Sequence, residues 1–94
     1  MAEALSFDWD KANVAHVARQ DVMPEEVEQV FVNDPMDLSA DIMDEEERYT
    51  SAGHTNQLRV LVLVWTMRGV ATRPITAFDA SHALVRRYLK ERGF

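Results

Sequence analysis

The sequence predicts an α+β protein in which helices pack on one antiparallel sheet, and three observations carry that expectation. Residues 57–67, QLRVLVLVWTM, hold only Arg59 as a polar residue between Leu58 and Trp65, with β-branched Val60, Val62 and Val64 at alternate positions. A short run that is apolar on both faces reads as a central strand covered on two sides. Gly53 and Asn56 before it and Gly69 after it set turns at a strand's spacing, which argues against a buried helix segment. The flanking segments alternate or repeat at helical spacing in the order β, α, α, antiparallel β meander, α, abbreviated β-α-α-β-β-β-α.

Each element has a local reason. Residues 6–9 alternate, with Phe7 and Trp9 on one side, as a short half-buried strand does. Asp10 is placed to cap a helix from Lys11 to about residue 20, whose inner face is expected to be Val14, Val17 and Ala18. Asp21 and Val22 make the break. Pro24 suits the first turn of a second helix, Glu25 and Glu26 complement its positive end, and Val27, Val30 and Phe31 form its apolar stripe. Asn33-Asp34-Pro35 ends it. Residues 36–42 alternate loosely through Met36, Leu38, Ala40 and Ile42, the pattern of an edge strand. The acidic run 44–47 reads as a solvated turn, and 47–52 offers a further strand leading into the central one. In the long strand candidate 70–78, Pro74 has no donor and calls for an edge or a bulge. Asp79 or Ser81 caps a last helix that runs to about Arg92 and ends at Gly93.

The 94 residues are expected to form one domain with a single core. With no cysteine there is neither a disulfide framework nor a thiolate metal site, which favours a reducing compartment. The opening MAEALSFDWD lacks a basic region and an apolar region of the signal-peptide kind, and the longest apolar run, 60–65, is too short to cross a bilayer. A cytoplasmic location and no membrane partner follow as expectations. Net charge is −6, yet residues 1–47 set 14 Asp/Glu against Lys11 and Arg19, whereas 48–94 set eight Lys/Arg against Asp79 and Glu91. Such asymmetry gives one face that attracts anions and another that attracts a basic partner.

Standard motifs for nucleotide, zinc or nucleophilic chemistry are missing, and His16, His54 and His82 share no metal-ligand spacing. No metal and no cofactor is expected. On the last helix, His82, Arg86 and Lys90 recur at i, i+4 and i+8, with Arg87 beside them and Leu84, Val85, Tyr88 and Leu89 on the buried side. That stripe is either a phosphate-binding surface or an ordinary solvated face. Arg48, Arg59 and Arg73 fall on expected strands and suit bidentate phosphate contact; their other role is ion pairing with the acidic half.

An ordered set of short motifs spans most of the chain. Phe7-Asp8-Trp9-Asp10, Pro24-Glu25-Glu26 leading to Val30-Phe31 and Asp34-Pro35, and Glu47-Arg48-Tyr49 leading to Gly53 come first. Val64-Trp65-Thr66, Arg73-Pro74-Ile75-Thr76-Ala77 and Arg86-Arg87-Tyr88 follow. Together, from about residue 7 to 88, they resemble the BrnT family, small toxins of type II toxin–antitoxin systems with a RelE-like fold. The resemblance implies a cytoplasmic bacterial ribonuclease that uses no metal, takes RNA as substrate and is inhibited by a cognate antitoxin of the BrnA type. Metal-free RNA cleavage needs activation of a 2′-hydroxyl, stabilisation of a pentavalent phosphate and protonation of the leaving oxygen. Carried over by position, Trp9 would stack on a base, Glu47 would act as the base, and Arg48 and Arg73 would hold the phosphate. The helix stripe adds His82 and Arg86 to the catalytic candidates and Arg87 and Lys90 to the RNA contacts, and Arg59 on its expected strand is a further RNA contact.

The chain also departs from the family pattern. The usual ending of the first helix, Lys-His-Gly-Val, is Arg19-Gln20-Asp21-Val22 here, after Asn13 and Val17. An arginine usual after Ile-Ser-Ala is Phe78, and a glutamate usual in the last helix is Leu84. The alternative is therefore a non-catalytic interaction module on the same fold, with Phe78 at a partner contact or a self-paired homo-oligomer. Direct DNA binding is a weaker third reading, because the negative half would repel a duplex.

Overall fold

A computed structural model describes residues 5–94. It contains α1 (Lys11–Ala18), α2 (Pro24–Val32), β1 (Met36–Met43), β2 (Glu46–His54), β3 (Val60–Arg68), β4 (Ala71–Asp79) and α3 (His82–Glu91). The strands form one antiparallel sheet in the order β1-β2-β3-β4, so the meander is as expected and the 47–52 segment is a full member of it. Residues 6–9 contribute a single parallel bridge, Phe7 to Thr72, held by the Thr72 amide to the Ser6 carbonyl at 2.8 Å and the Asp8 amide to the Thr72 carbonyl at 2.9 Å.

Local chemistry sets the helix ends. The Asp10 side chain accepts from the Asn13 amide while the Asn13 side chain accepts from the Asp10 amide, a reciprocal cap. At the other end of α1, the Val22 amide reaches the Val17 carbonyl and the Asp21 amide the Ala18 carbonyl, with Asp21 at φ 59. That is a Schellman motif with aspartate where glycine is favoured, closed by Val17 and Val22 in the core. Ser81 is the residue that caps α3, accepting from the Leu84 amide, and Gly93 at φ 78 ends it.

The turns follow the same rules. The β1–β2 hairpin turns on Asp44 and Glu45, both at positive φ as a type I′ turn requires, and the β3–β4 hairpin turns on Gly69 and Val70, with Gly69 at φ 61. Pro74 lies on the β4 edge next to a register shift opposite Val64 and Trp65, so both readings of that proline hold.

The main core joins Val17, Val22, Val27 and Val30 to Leu61, Leu63 and Ala77, with Trp9, Phe31 and Trp65 packed at its border. Gly53 lets α2 approach β2, since a Cβ there would fall 2.6 Å from Val30 Cγ1. The opposite face of the sheet carries Val60 and Val62, and α3 covers it at the His54 end, where the buried Tyr88 hydroxyl is hydrogen-bonded to His54 Nδ1 at 2.6 Å. One expected face is corrected: Val14 is 37% exposed and Ala18 is exposed, while Asn13 is buried. The reason is that the Asn13 amide crosses to the sheet, donating to the carbonyls of Asp8 and Pro74 at 2.9 Å each. Its hydrogen bonds turn the helix by one position relative to its apolar stripe.

Candidate functional site

Alternation along adjacent strands collects three arginines on one face of the sheet. On β2, Glu46 and Arg48 share a side, and on β3, Thr66 and Arg68 do the same. Arg73 on β4 is the direct partner of Thr66. Continuing the pairing of Tyr49 with Trp65 sets Arg48 beside Thr66, whose hydroxyl donates to the Glu47 carbonyl at 2.7 Å. From the β4 edge, α1 adds Ala12, Asn13 and His16, and Ile75 completes the wall of a cavity of about 180 Å³.

Each of the three arginines has a carboxylate within ion-pair distance. The Glu46 carboxylate lies between two guanidinium groups, 3.6 Å from Arg48 Nε and 3.5 Å from Arg68 Nε. Arg73 is largely buried and pairs with Asp10 at 3.0 Å and Asp8 at 3.6 Å. The Asn13 amide, with Arg73 behind it, holds the Asp10 carboxyl below the usual carboxylate range. Arg48 Nε is buried with no hydrogen-bond partner among the described residues, since 3.6 Å to Glu46 is too long for one. A buried guanidinium donor of this kind is suited to an anionic oxygen.

Of the residues expected from sequence, Arg48 and Arg73 meet in this cavity. Glu47 does not: the alternation that sends Arg48 inward sends Glu47 to the other face, exposed, where its carboxylate beside the Tyr49 hydroxyl pushes that phenol's pKa up. Trp9 packs on the core border, away from the cavity lining, and its indole N–H donates to Glu28 at 2.8 Å. Arg59 is a structural clamp. It donates to Asp79 from Nε and Nη2 at 2.8 and 3.2 Å, to Glu26 at 3.1 Å and to the Asp21 carbonyl at 2.9 Å. These bonds hold its own guanidinium pKa up and the Asp79 carboxyl pKa down. His82, Arg86, Arg87 and Lys90 are exposed on α3, none lines the cavity, and Arg87 pairs with Glu91 at 3.2 Å. Phe78 is 39% exposed opposite Val62.

Sequence reasoning missed Glu46, Arg68, His16 and Asn13. Their signals were present: Glu46 is two residues from Arg48 on a strand, Arg68 immediately precedes the Gly69 turn that returns to Arg73, and His16 follows Asn13 at helical spacing.

A protein-family model described as a ribonuclease toxin, BrnT, of type II toxin–antitoxin systems matches residues 9–83, a span that contains all the residues lining the cavity. No curated protein matches the chain.

Proposed function

The chain belongs to the BrnT family, the ribonuclease toxins of type II toxin–antitoxin systems, and on that premise we propose that it cleaves RNA in the arginine cavity without a metal. The observation that carries this reading is the arrival of Arg48, Arg68 and Arg73 from three adjacent strands at one cavity. Guanidinium groups are planar donors that match phosphate oxygens and stabilise the charge that builds up on a pentavalent phosphate. His16 is of the side-chain type that exchanges a proton near neutral pH, and Glu46 supplies a carboxylate on the same wall. In this reading Glu46, rather than Glu47, is the carboxylate within reach of the phosphate. One of His16 and Glu46 takes the 2′-hydroxyl proton as that oxygen attacks phosphorus. The other delivers a proton to the 5′-oxygen as its bond to phosphorus breaks, leaving a 2′,3′-cyclic phosphate and a free 5′-hydroxyl.

The reading extends to a RelE-like toxin of the bacterial cytoplasm, held inactive by a BrnA-like antitoxin. It is tested with purified protein and a short single-stranded RNA in chelator. Cyclic-phosphate products are expected, and a substrate with 2′-deoxyribose at the cut position is expected to survive. Chelator-sensitive cleavage, or cutting at the deoxy position, would sink the mechanism.

One observation favours a second reading, a binding module without catalysis: Glu46 sits between Arg48 and Arg68, and Asp8 and Asp10 engage Arg73. Under that reading the cavity is already neutralised, and the purified chain leaves every RNA intact.

A further inference from the structure

We propose that the free edge of β1 and the groove beside it dock a basic, strand-forming segment of the antitoxin; this rests on the reading of the chain as one half of a toxin–antitoxin pair. The two margins of the sheet are treated differently. At β4 the margin is covered by the Phe7 bridge and by α1, whereas β1 is eight residues long and exposed from Ser39 to Met43. An uncovered edge of this length offers a row of backbone donors and acceptors to another strand.

The groove beside it states what kind of strand fits. Two depressions of about 430 and 420 Å³ share Ala40 and run along the sheet face opposite the arginine cavity. Their floor is apolar, made by Leu38, Ile42, Tyr49 and Trp65, and Ile42 is 77% exposed. The acidic side chains on this face are Asp37 and Glu47, and no lysine or arginine lines either depression. The adjoining turn adds Asp44 and Glu45. An incoming strand therefore needs apolar side chains on one face for the floor, and Lys or Arg for the acids.

Charge complementarity decides among occupants. RNA is repelled by this surface. A second copy pairing through its own β1 would set two acidic rims and two acidic turns side by side, and like charges close together on paired strands are destabilising. A basic segment of a different protein meets neither obstacle, and opposite charge speeds its arrival.

The test uses the whole chain and a synthetic eight-residue peptide, Val-Lys repeated four times and capped at both ends, with the Val-Glu repeat as its control. The lysine peptide is expected to bind with an affinity that weakens as salt rises, and to slow hydrogen exchange in β1. Combining Asp37→Lys with Glu47→Lys is expected to lower that affinity by about tenfold or more. Binding is expected to be unchanged in Arg48→Ala, whatever that variant does to RNA, so failure here and failure of the ribonuclease reading are told apart. Equal binding of both peptides, no binding, or a chain that is already a dimer with β1 protected would overturn the proposal. Exchange measured on the chain bound to its antitoxin must then slow at β1, and protection confined to α3 or the arginine cavity would equally count against it.

Discussion

At the scale of single residues, Glu46 has the most consequential position. Its carboxylate stands between Arg48 and Arg68, where a phosphate oxygen would bring the same charge. Replacing it in Glu46→Gln keeps the shape and removes the competing anion, so affinity for a non-cleavable 2′-deoxy oligonucleotide is expected to rise, by about tenfold at most for a partly exposed pair. If Glu46 also moves a proton, cleavage falls in the same variant, and the split between binding and rate assigns its role. Arg59 has a different task, joining the start of β3 to α2, to the α1–α2 connection and to the end of β4. Arg59→Ala is expected to cost roughly 1–3 kcal/mol in urea unfolding while leaving the RNA site unaltered. Because Arg59 holds the Asp79 carboxyl pKa below its unfolded value, that contribution is present above the unfolded value and lost as pH falls through the folded one. Wild-type stability is thus expected to drop below about pH 4 more steeply than that of Arg59→Ala.

At the scale of elements, turns and caps were the readable part of the sequence. Pro24, Asn33-Asp34-Pro35, Gly69, Ser81 and Gly93 all stand where their backbone chemistry placed them. The faces were less readable, for a physical reason: strand side chains alternate, so moving a turn by one residue exchanges the two faces. The run Asp44-Glu45-Glu46-Glu47 does not itself say which two residues form the turn; the type I′ turn at Asp44 and Glu45 sends Glu46 to the arginines and Glu47 away. Likewise, Asn13 takes a buried position that apolar periodicity assigned to Val14, because its side-chain amide serves the carbonyls of Asp8 and of Pro74 on β4. Five left-handed positions among the described residues lack glycine, including Asp21 at φ 59 and Glu45 at φ 63. Asp21→Gly and Glu45→Gly are each expected to raise stability by up to about 1 kcal/mol in thermal melts. Gly53→Ala is expected to lower it by about 1–3 kcal/mol, because the new methyl meets Val30 and Pro35.

At the scale of the whole molecule, the sheet separates two charged surfaces. One face gathers Arg48, Arg68 and Arg73 beside α1; the other carries an acidic groove along β1. The charge asymmetry of the two halves of the sequence announced such a division, and β2 expresses it within four residues: Glu46 and Arg48 look one way, Glu47 and Tyr49 the other. The α3 stripe that drew notice in the sequence plays no part in the cavity, since periodicity reports that residues share a helix face and not what that face meets. The most direct test of the ribonuclease reading is the cleavage rate of a single-stranded RNA by folded wild-type chain beside Arg48→Ala, Arg68→Ala and Arg73→Ala. Wild-type cleavage with losses of about 100-fold or more in each variant is predicted. Equal rates in all four proteins, or no cleavage by the wild type, would contradict it.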